Sequence, residues 1–211
     1  MKKGKDSFYC RYIKRILDIC CALAAMIVFC WLYAIVAILV RVKLGGPVIF
    51  CQERPGKGEK IFKLYKFRSM TDECDEDGKL LPDDVRLTKF GRLLRSTSLD
   101  ELPEAWNILK GDMSVVGPRP LLVRYLSRYN EEQHHRHDVR PGLTGLSQAA
   151  GDVDMTWERQ FALDVEYTRN ATFIGDVKII LMTVRRVFLR SRHQYGEFFR
   201  QEFVGCDRVA K

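Results

Sequence analysis

The 22 residues from Ile19 to Val40, ICCALAAMIVFCWLYAIVAILV, carry no charge, and no other stretch limits the fold as much. A helix rises about 1.5 Å per residue, so a run of this length covers roughly 30 Å, the thickness of a bilayer's hydrocarbon core. No Pro or Gly lies between Gly4 and Gly45, so these residues by themselves read as a straight span. A cleaved signal peptide is the competing reading, because the tail before Ile16 holds Lys2, Lys3, Lys5, Arg11, Lys14 and Arg15 against one acid, Asp6. The run is long for such a leader, and Arg41, Val42 and Lys43 offer no small-residue cleavage site. Residues 16–42 are therefore expected to stay as an anchor. They divide the chain into a basic tail with a membrane helix (1–43) and a second domain (44–211).

The topology of that anchor is constrained from two sides. A straight span with the basic tail inside would place the second domain outside, by the positive-inside rule. Yet both flanks of the run are basic, and the seven cysteines are odd in number with no C-x-x-C spacing. That usage fits neither a disulfide framework nor a zinc site and indicates a reducing compartment. A helix that enters and returns to one face would satisfy both, if its freed backbone groups find partners.

Charge narrows the partners. Lys and Arg number 35 against 27 Asp and Glu, a net +8. Such a surplus suits phosphate, nucleic acid or an acidic membrane face. No helix-turn-helix, RNA-recognition or zinc-finger pattern is present, so no nucleic-acid partner is expected. A P-loop and a Gly-rich kinase loop are missing as well.

Beyond Gly45-Gly46-Pro47, residues 48–52 form a β-like run and Arg54-Pro55-Gly56 a turn. In 60–70 Ile61, Leu64, Phe67 and Met70 recur at helical spacing, while Phe62, Leu64 and Lys66 alternate as in a strand; a β-hairpin is preferred. Helices are expected over 86–99, 103–109, 121–136, 157–170 and 174–192, the last long and amphipathic, with a loop at 140–145. The fold class that results is α/β and α-rich: a compact domain with short strands and interfacial amphipathic helices.

Three clusters invite chemistry. The acidic stretch from Glu73 to Gly78 approaches a calcium loop, but Pro82 interrupts it and Asp84 is a short twelfth ligand, so a solvated turn is preferred. His134, His135 and His137 lie near Glu131 and Glu132, at spacings that fall on different sides of a helix; a basic helix face is preferred to a metal site. The segment 95–120 is richer. Asp100 and Glu101 are adjacent carboxylates, with Arg95 upstream and Arg119 in a rigid Gly-Pro-Arg-Pro turn. A capping box, Ser98 with Glu101, explains the acids equally well on local grounds. With Lys60, Lys63 and Lys66, however, the set suits phosphoryl transfer with Mg²⁺: arginines fork phosphate, and a carboxylate serves as metal ligand or nucleophile.

The motifs, in their order, resemble the bacterial sugar transferases, the monotopic polyprenyl-phosphate phosphoglycosyl transferases. They run from Lys14-Arg15-x-x-Asp18 through Gly46-Pro47-Val48-Ile49-Phe50, Gln52-x-Arg54-Pro55-Gly56, Phe62-Lys63-x-x-Lys66-Phe67-Arg68-Ser69-Met70 and Leu99-Asp100-Glu101-Leu102-Pro103. They continue with Asn107-x-Leu109-x-Gly111-Asp112-Met113-Ser114-x-Val116-Gly117-Pro118-Arg119-Pro120 and Val139-Arg140-Pro141-Gly142-Leu143-Thr144-Gly145. The chain is similar to the small transferases that start N-linked glycan assembly. The resemblance implies that Asp100 is a nucleophile and Glu101 its catalytic partner, both near Mg²⁺. It implies that Arg95, Arg119 and Lys66 hold phosphate or nucleotide, and that Asp176 lies near the site. It further implies a re-entrant helix at the cytoplasmic face of the bacterial inner membrane, a cytoplasmic catalytic domain, and a UDP-sugar, a polyprenyl phosphate and membrane lipids as partners, with an oligomer left open. Two positions depart from the pattern: Cys30-Trp31 stands where Ser-Pro is usual, and Leu146 where Trp commonly follows Thr-Gly. The non-enzymatic alternatives are a membrane-tethered binding protein and an inactive member acting as a scaffold.

Overall fold

The structure, a computed structural model, describes residues 4–150, 155–189 and 203–205. The apolar run is not one straight rod. Helix α1 (Lys14–Val28), extended by a π-helical turn over Tyr9–Ile13, meets α2 (Cys30–Leu44) at a 66° bend. Phe29 makes the break at φ −100° and ψ 14°, between the regular helical and extended regions. Among the described residues no single helix is long and apolar enough to cross a membrane. The straight span expected from composition is thus corrected, and tertiary packing supplies the reason. Ala22 of α1 is buried in a cluster with Ile108 and Met113, while Val36 and Val40 of α2 are buried with Phe67 and Leu94. The Tyr33 hydroxyl also donates to the Leu102 carbonyl at 2.6 Å. Each half of the run is held by a different side of the domain, and the backbone yields between them. Strain at one residue, of order 1–3 kcal/mol, is offset by several buried side chains at about 1.5–3 kcal/mol each.

The motif at the start of the run is a clamp. Arg15 donates to the carbonyls of Ile108 and Leu109 at 2.5 and 2.8 Å, near the end of α5 (Glu104–Lys110), where carbonyls lack helical partners. Buried Asp18 accepts from the Ser114 hydroxyl and the Val115 amide, both at 2.9 Å. Lys14 reaches Asp176 at 2.5 Å.

The expected hairpin forms. Strand β1 (Ile49–Pro55) pairs antiparallel with β2 (Ile61–Phe67), with Phe50 opposite Lys66 and Arg54 opposite Phe62. β1 runs on through Arg54 to Pro55, so the turn begins at Gly56. The sequence expectation of one helix over 86–99 resolves into α3 (Asp83–Arg86) and α4 (Lys89–Ser96), the latter capped by the Thr88 hydroxyl, which accepts from Gly91 N. The helix expected over 121–136 is replaced by a 3₁₀ turn (Val123–Arg128), a short α6 (Glu131–His134) and a second 3₁₀ turn (His135–Asp138). Asn130 restarts the chain there through a reciprocal capping box with Gln133. The expected loop at 140–145 contains a strand. β4 (Gly142–Thr144) pairs in parallel with β3 (Ser114–Val116). A Cβ on Gly117 or Gly142 would run into the other's backbone, so the two glycine motifs meet where only glycine fits. Helix α7 (Leu146–Ala150) follows, then α8 (Trp157–Asn170), within the bounds expected, and α9 (Phe173–Leu189). The expected 190–192 end of α9 lies outside the described residues.

Candidate active site

A cavity of about 840 Å³ opens beside the hairpin. Period-2 alternation puts Phe50, Gln52 and Arg54 of β1 on the same face as Lys66 of β2, and all four line it. Asn107 fixes that face against α5. Its amide donates to the Lys63 carbonyl at 2.7 Å, and its oxygen accepts from Tyr65 N at 3.0 Å. The same element order brings the 3₁₀ turn Leu99–Glu101 under Lys66.

Lys66, Arg95, Asp100, Glu101 and Arg119 all line this one cavity. Ser98 precedes the acids in a left-handed conformation, φ 56°, and makes no side-chain cap. Glu101 does not turn back to it either; its Oε1 accepts from Lys66 Nζ at 2.8 Å and Arg119 Nη2 at 2.9 Å. The capping-box explanation of the acids therefore fails. Burial alone would raise Glu101, but the two cations overcome it and hold the carboxyl at about 2. Arg119 is pushed further up by the same carboxylate. Its carbonyl is fixed from behind by Arg136, which donates to it at 2.7 Å while paired with Asp164 at 2.8 Å, both nearly inaccessible.

Asp100 differs from its neighbour. It is buried, and among the described residues no hydrogen bond reaches its carboxylate. Burial raises its pKa, with Lys66 the main opposing charge and Glu101 adding to the rise. A carboxylate left unpartnered at the edge of a cationic cavity is available to a ligand, metal or electrophile. Arg95, in the last turn of α4, donates from Nε to the Ser69 hydroxyl at 2.9 Å, which leaves its other guanidinium nitrogens for the cavity.

Asp176 lies elsewhere. It does not line the cavity; it accepts from Tyr9, Tyr167 and Lys14 at 2.7, 2.8 and 2.5 Å, tying the start of α9 to the entrance of α1. Four arginines not singled out from sequence join the cavity lining: Arg54, Arg68, Arg86 and Arg186. Burial and the nearby Arg119 push Arg54 down to about 10, and its Nε is buried without a partner. Guanidiniums so placed repel one another until an anion arrives. The signal for Arg54 was its strand parity with Lys66; Arg186 comes from α9 and had none. Glu104 was also missed. It sits 3.1 Å from Lys66, and burial, with the charge of Glu101 adding, raises it to about 7.

The residues present fit Mg²⁺, since such sites need only one or two carboxylates, with substrate phosphates completing the shell. Asp100 is the carboxylate free to serve, and Glu101, next in the chain, spends Oε1 on Lys66 and Arg119.

The sequence profile described as bacterial sugar transferase matches residues 9–190. The chain is 50% identical over 199 residues to the uncharacterized sugar transferase EpsL of Bacillus subtilis, covering 94% of this chain and 98% of that one. It is 40% identical over 187 residues to the UDP-glucose:undecaprenyl-phosphate glucose-1-phosphate transferase of Klebsiella pneumoniae, covering 83% of this chain and 40% of the relative. With the undecaprenyl-phosphate galactose phosphotransferase of Salmonella typhimurium the identity is 36% over 198 residues, 85% of this chain and 41% of the relative. It thus spans nearly all of EpsL and about two fifths of the two larger proteins. The chain belongs to the bacterial sugar transferase family and is an enzyme of the phosphoglycosyl transferase class.

Proposed function

We propose that this enzyme transfers a phospho-sugar from a UDP-sugar to undecaprenyl phosphate and releases UMP, by way of a covalent intermediate on Asp100. The unpartnered, buried carboxylate of Asp100 in a cavity lined by arginines carries the reading. Asp100 Oδ attacks the sugar-linked phosphorus of the UDP-sugar. The bond from that phosphorus to the bridging oxygen breaks, and UMP leaves with the oxygen and its electron pair. An oxygen of the lipid phosphate then attacks the acyl phosphate, the Asp100 O–P bond breaks, and the carboxylate is regenerated. Arg95, Arg119 and Lys66 bind the phosphates, with Arg54 adding a fork that sequence motifs did not assign. Glu101, ionised between two cations, keeps Lys66 and Arg119 in place. Mg²⁺, held by Asp100 and Glu101 with substrate oxygens, would supply charge neutralisation on the diphosphate. Asp176 acts at a distance, as a positioning residue that docks Lys14 and α1.

The lipid substrate requires a membrane, and two exposed apolar faces support one. Ile16, Leu23, Ile27, Trp31, Ile35, Ile38 and Val42 project from the bent pair, and Ile174, Leu181 and Val184 from α9. We read the pair as a re-entrant element at the cytoplasmic face, with α9 lying at the interface. Arg41 and Lys43 lie in the last turn of α2, where acidic headgroups suit them.

Incubation with radiolabelled UDP-sugar and no lipid tests the intermediate. Protein-bound label in the wild type, lost in a folded Asp100→Asn variant, is expected. Turnover by that variant, or no label in an active wild type, refutes the covalent route. UMP release across a panel of UDP-sugars, with and without undecaprenyl phosphate, separates the enzyme from a scaffold or a binding protein.

A further inference from the structure

Outside the residues that line the transferase cavity, the turn of the β1–β2 hairpin touches the 3₁₀ turn His135–Asp138. Glu59 of the hairpin turn places Oε1 2.5 Å from His134 Nδ1 and 3.6 Å from His137 Nδ1. The ligand atoms these three residues offer all lie within 4.8 Å of one another. On an ideal α-helix residues 134 and 137 are neighbours, offset by part of a turn. The chain, however, changes from α to 3₁₀ geometry at His135. Three residues then complete a turn, and side chains at i and i+3 eclipse. His134 and His137 share a side, while His135 turns away to Asp138 at 3.1 Å.

We propose that Glu59, His134 and His137 form a binding site for a first-row transition-metal ion, with Zn²⁺ as its natural occupant. Two imidazoles and one carboxylate are a donor set that suits such ions, leaving a fourth position for water. The geometry is close to what is needed. Ligands held at about 2.0–2.1 Å around a tetrahedral ion lie about 3.3–3.4 Å from each other. The contact of 3.6 Å is already near that value, and the one of 2.5 Å would open by about 1 Å.

His137 supplies an independent reason. Its side chain is 7% exposed, and neither ring nitrogen has a hydrogen-bond partner among the described residues. A buried imidazole without partners is costly unless something coordinates it. Tyr129 flanks both rings, at centroid distances of 5.7 Å from His134 and 5.6 Å from His137, and sets their orientation. Glu59 itself is held at φ 61°, a left-handed conformation that side chains rarely adopt and whose cost bridging to an ion would offset. A bound ion staples the hairpin that carries Arg54 and Lys66 to the segment that carries Arg136, without entering the reaction.

The test uses the full chain in detergent, stripped with a chelator, its cysteines alkylated, in excess Mg²⁺ so that cavity carboxylates do not compete. Zn²⁺ is titrated against a chromophoric indicator, Co²⁺ absorption reports the ligand field, and melting is followed with and without Zn²⁺. One Zn²⁺ per chain is expected, with a raised Tm and a Co²⁺ spectrum of low coordination number. Glu59→Gln and His134→Gln, both at partly exposed side chains, should each weaken binding by at least about tenfold and lose the Tm shift. Their metal-free melting should stay near that of the wild type, and His135→Gln should bind as the wild type does. No saturable binding would overturn the proposal and leave the cluster as a hydrogen-bonded His–Glu contact. Binding of undiminished strength in both Glu59→Gln and His134→Gln would place the ion elsewhere and overturn it equally.

Discussion

Replacing Lys66 by Met removes the one ammonium shared by three carboxylates. Its Nζ lies 2.8 Å from Glu101 and 3.1 Å from Glu104, and it is the main charge opposing the rise in Asp100. A unit charge near 4 Å is worth about 4 kcal/mol at an effective dielectric of 20 and about 1 kcal/mol in water. Lys66 is 20% exposed, so its effect on Asp100 falls toward the lower, water-like part of that range. The sign follows directly: losing a cation disfavours the carboxylate, so Asp100 holds its proton to higher pH. The assay is kcat/KM for UMP release from about pH 5 to 9, where the acid limb reports the free enzyme's essential base. In Lys66→Met that limb should move to higher pH, and Lys66→Arg should restore it in large part. A folded Lys66→Met enzyme whose activity falls equally at every pH, with the limb unmoved, would refute the coupling. Lys66 would then be a phosphate ligand only.

Other outcomes follow from the same geometry. Arg119→Lys keeps charge but loses the fork held against Glu101, and kcat/KM should fall at least tenfold, about 1.4 kcal/mol; near-native kinetics would make Arg119 a structural turn. Glu104 is raised from 4.5 to about 7, so the wild type loses stability as pH climbs through that window and stays penalised above it. Glu104→Gln should accordingly melt higher than wild type above pH 7 and no higher below 4.5, as read by thermal denaturation in detergent. A re-entrant element puts both termini on one face, so cysteines engineered at Lys2 and Lys211, in a background without native cysteines, should resist an impermeant reagent added to intact cells. Labelling of the Lys2 position from outside would establish a straight span.

Much of the chain's local grammar was legible in one dimension. The uncharged 22-residue run, the hairpin, the helix over 157–170 and the juxtaposition of Asp100 and Glu101 with arginines all follow from period, charge and turn residues. These are short-range properties, and neighbours in sequence dominate them. What failed did so where distant groups decide. Nothing local breaks the helix at Phe29; two separate cores pull on its halves. A three-residue parallel strand such as Gly142–Thr144 has no periodicity to detect and exists only because Ser114–Val116 lies beside it. Glu101 could cap a helix or hold cations, and the choice falls to Lys66, 35 residues away. Asp176 and Arg186 stand near opposite ends of α9, yet one latches Lys14 and the other lines the cavity. His134 and His137 are helix neighbours by spacing, but only the fold brings Glu59, 75 residues away, against them. Sequence determined which residue types were present and how they repeat along the chain. Which of them met, and with what charge state, was left to packing, because burial and pairing are properties of neighbours in space.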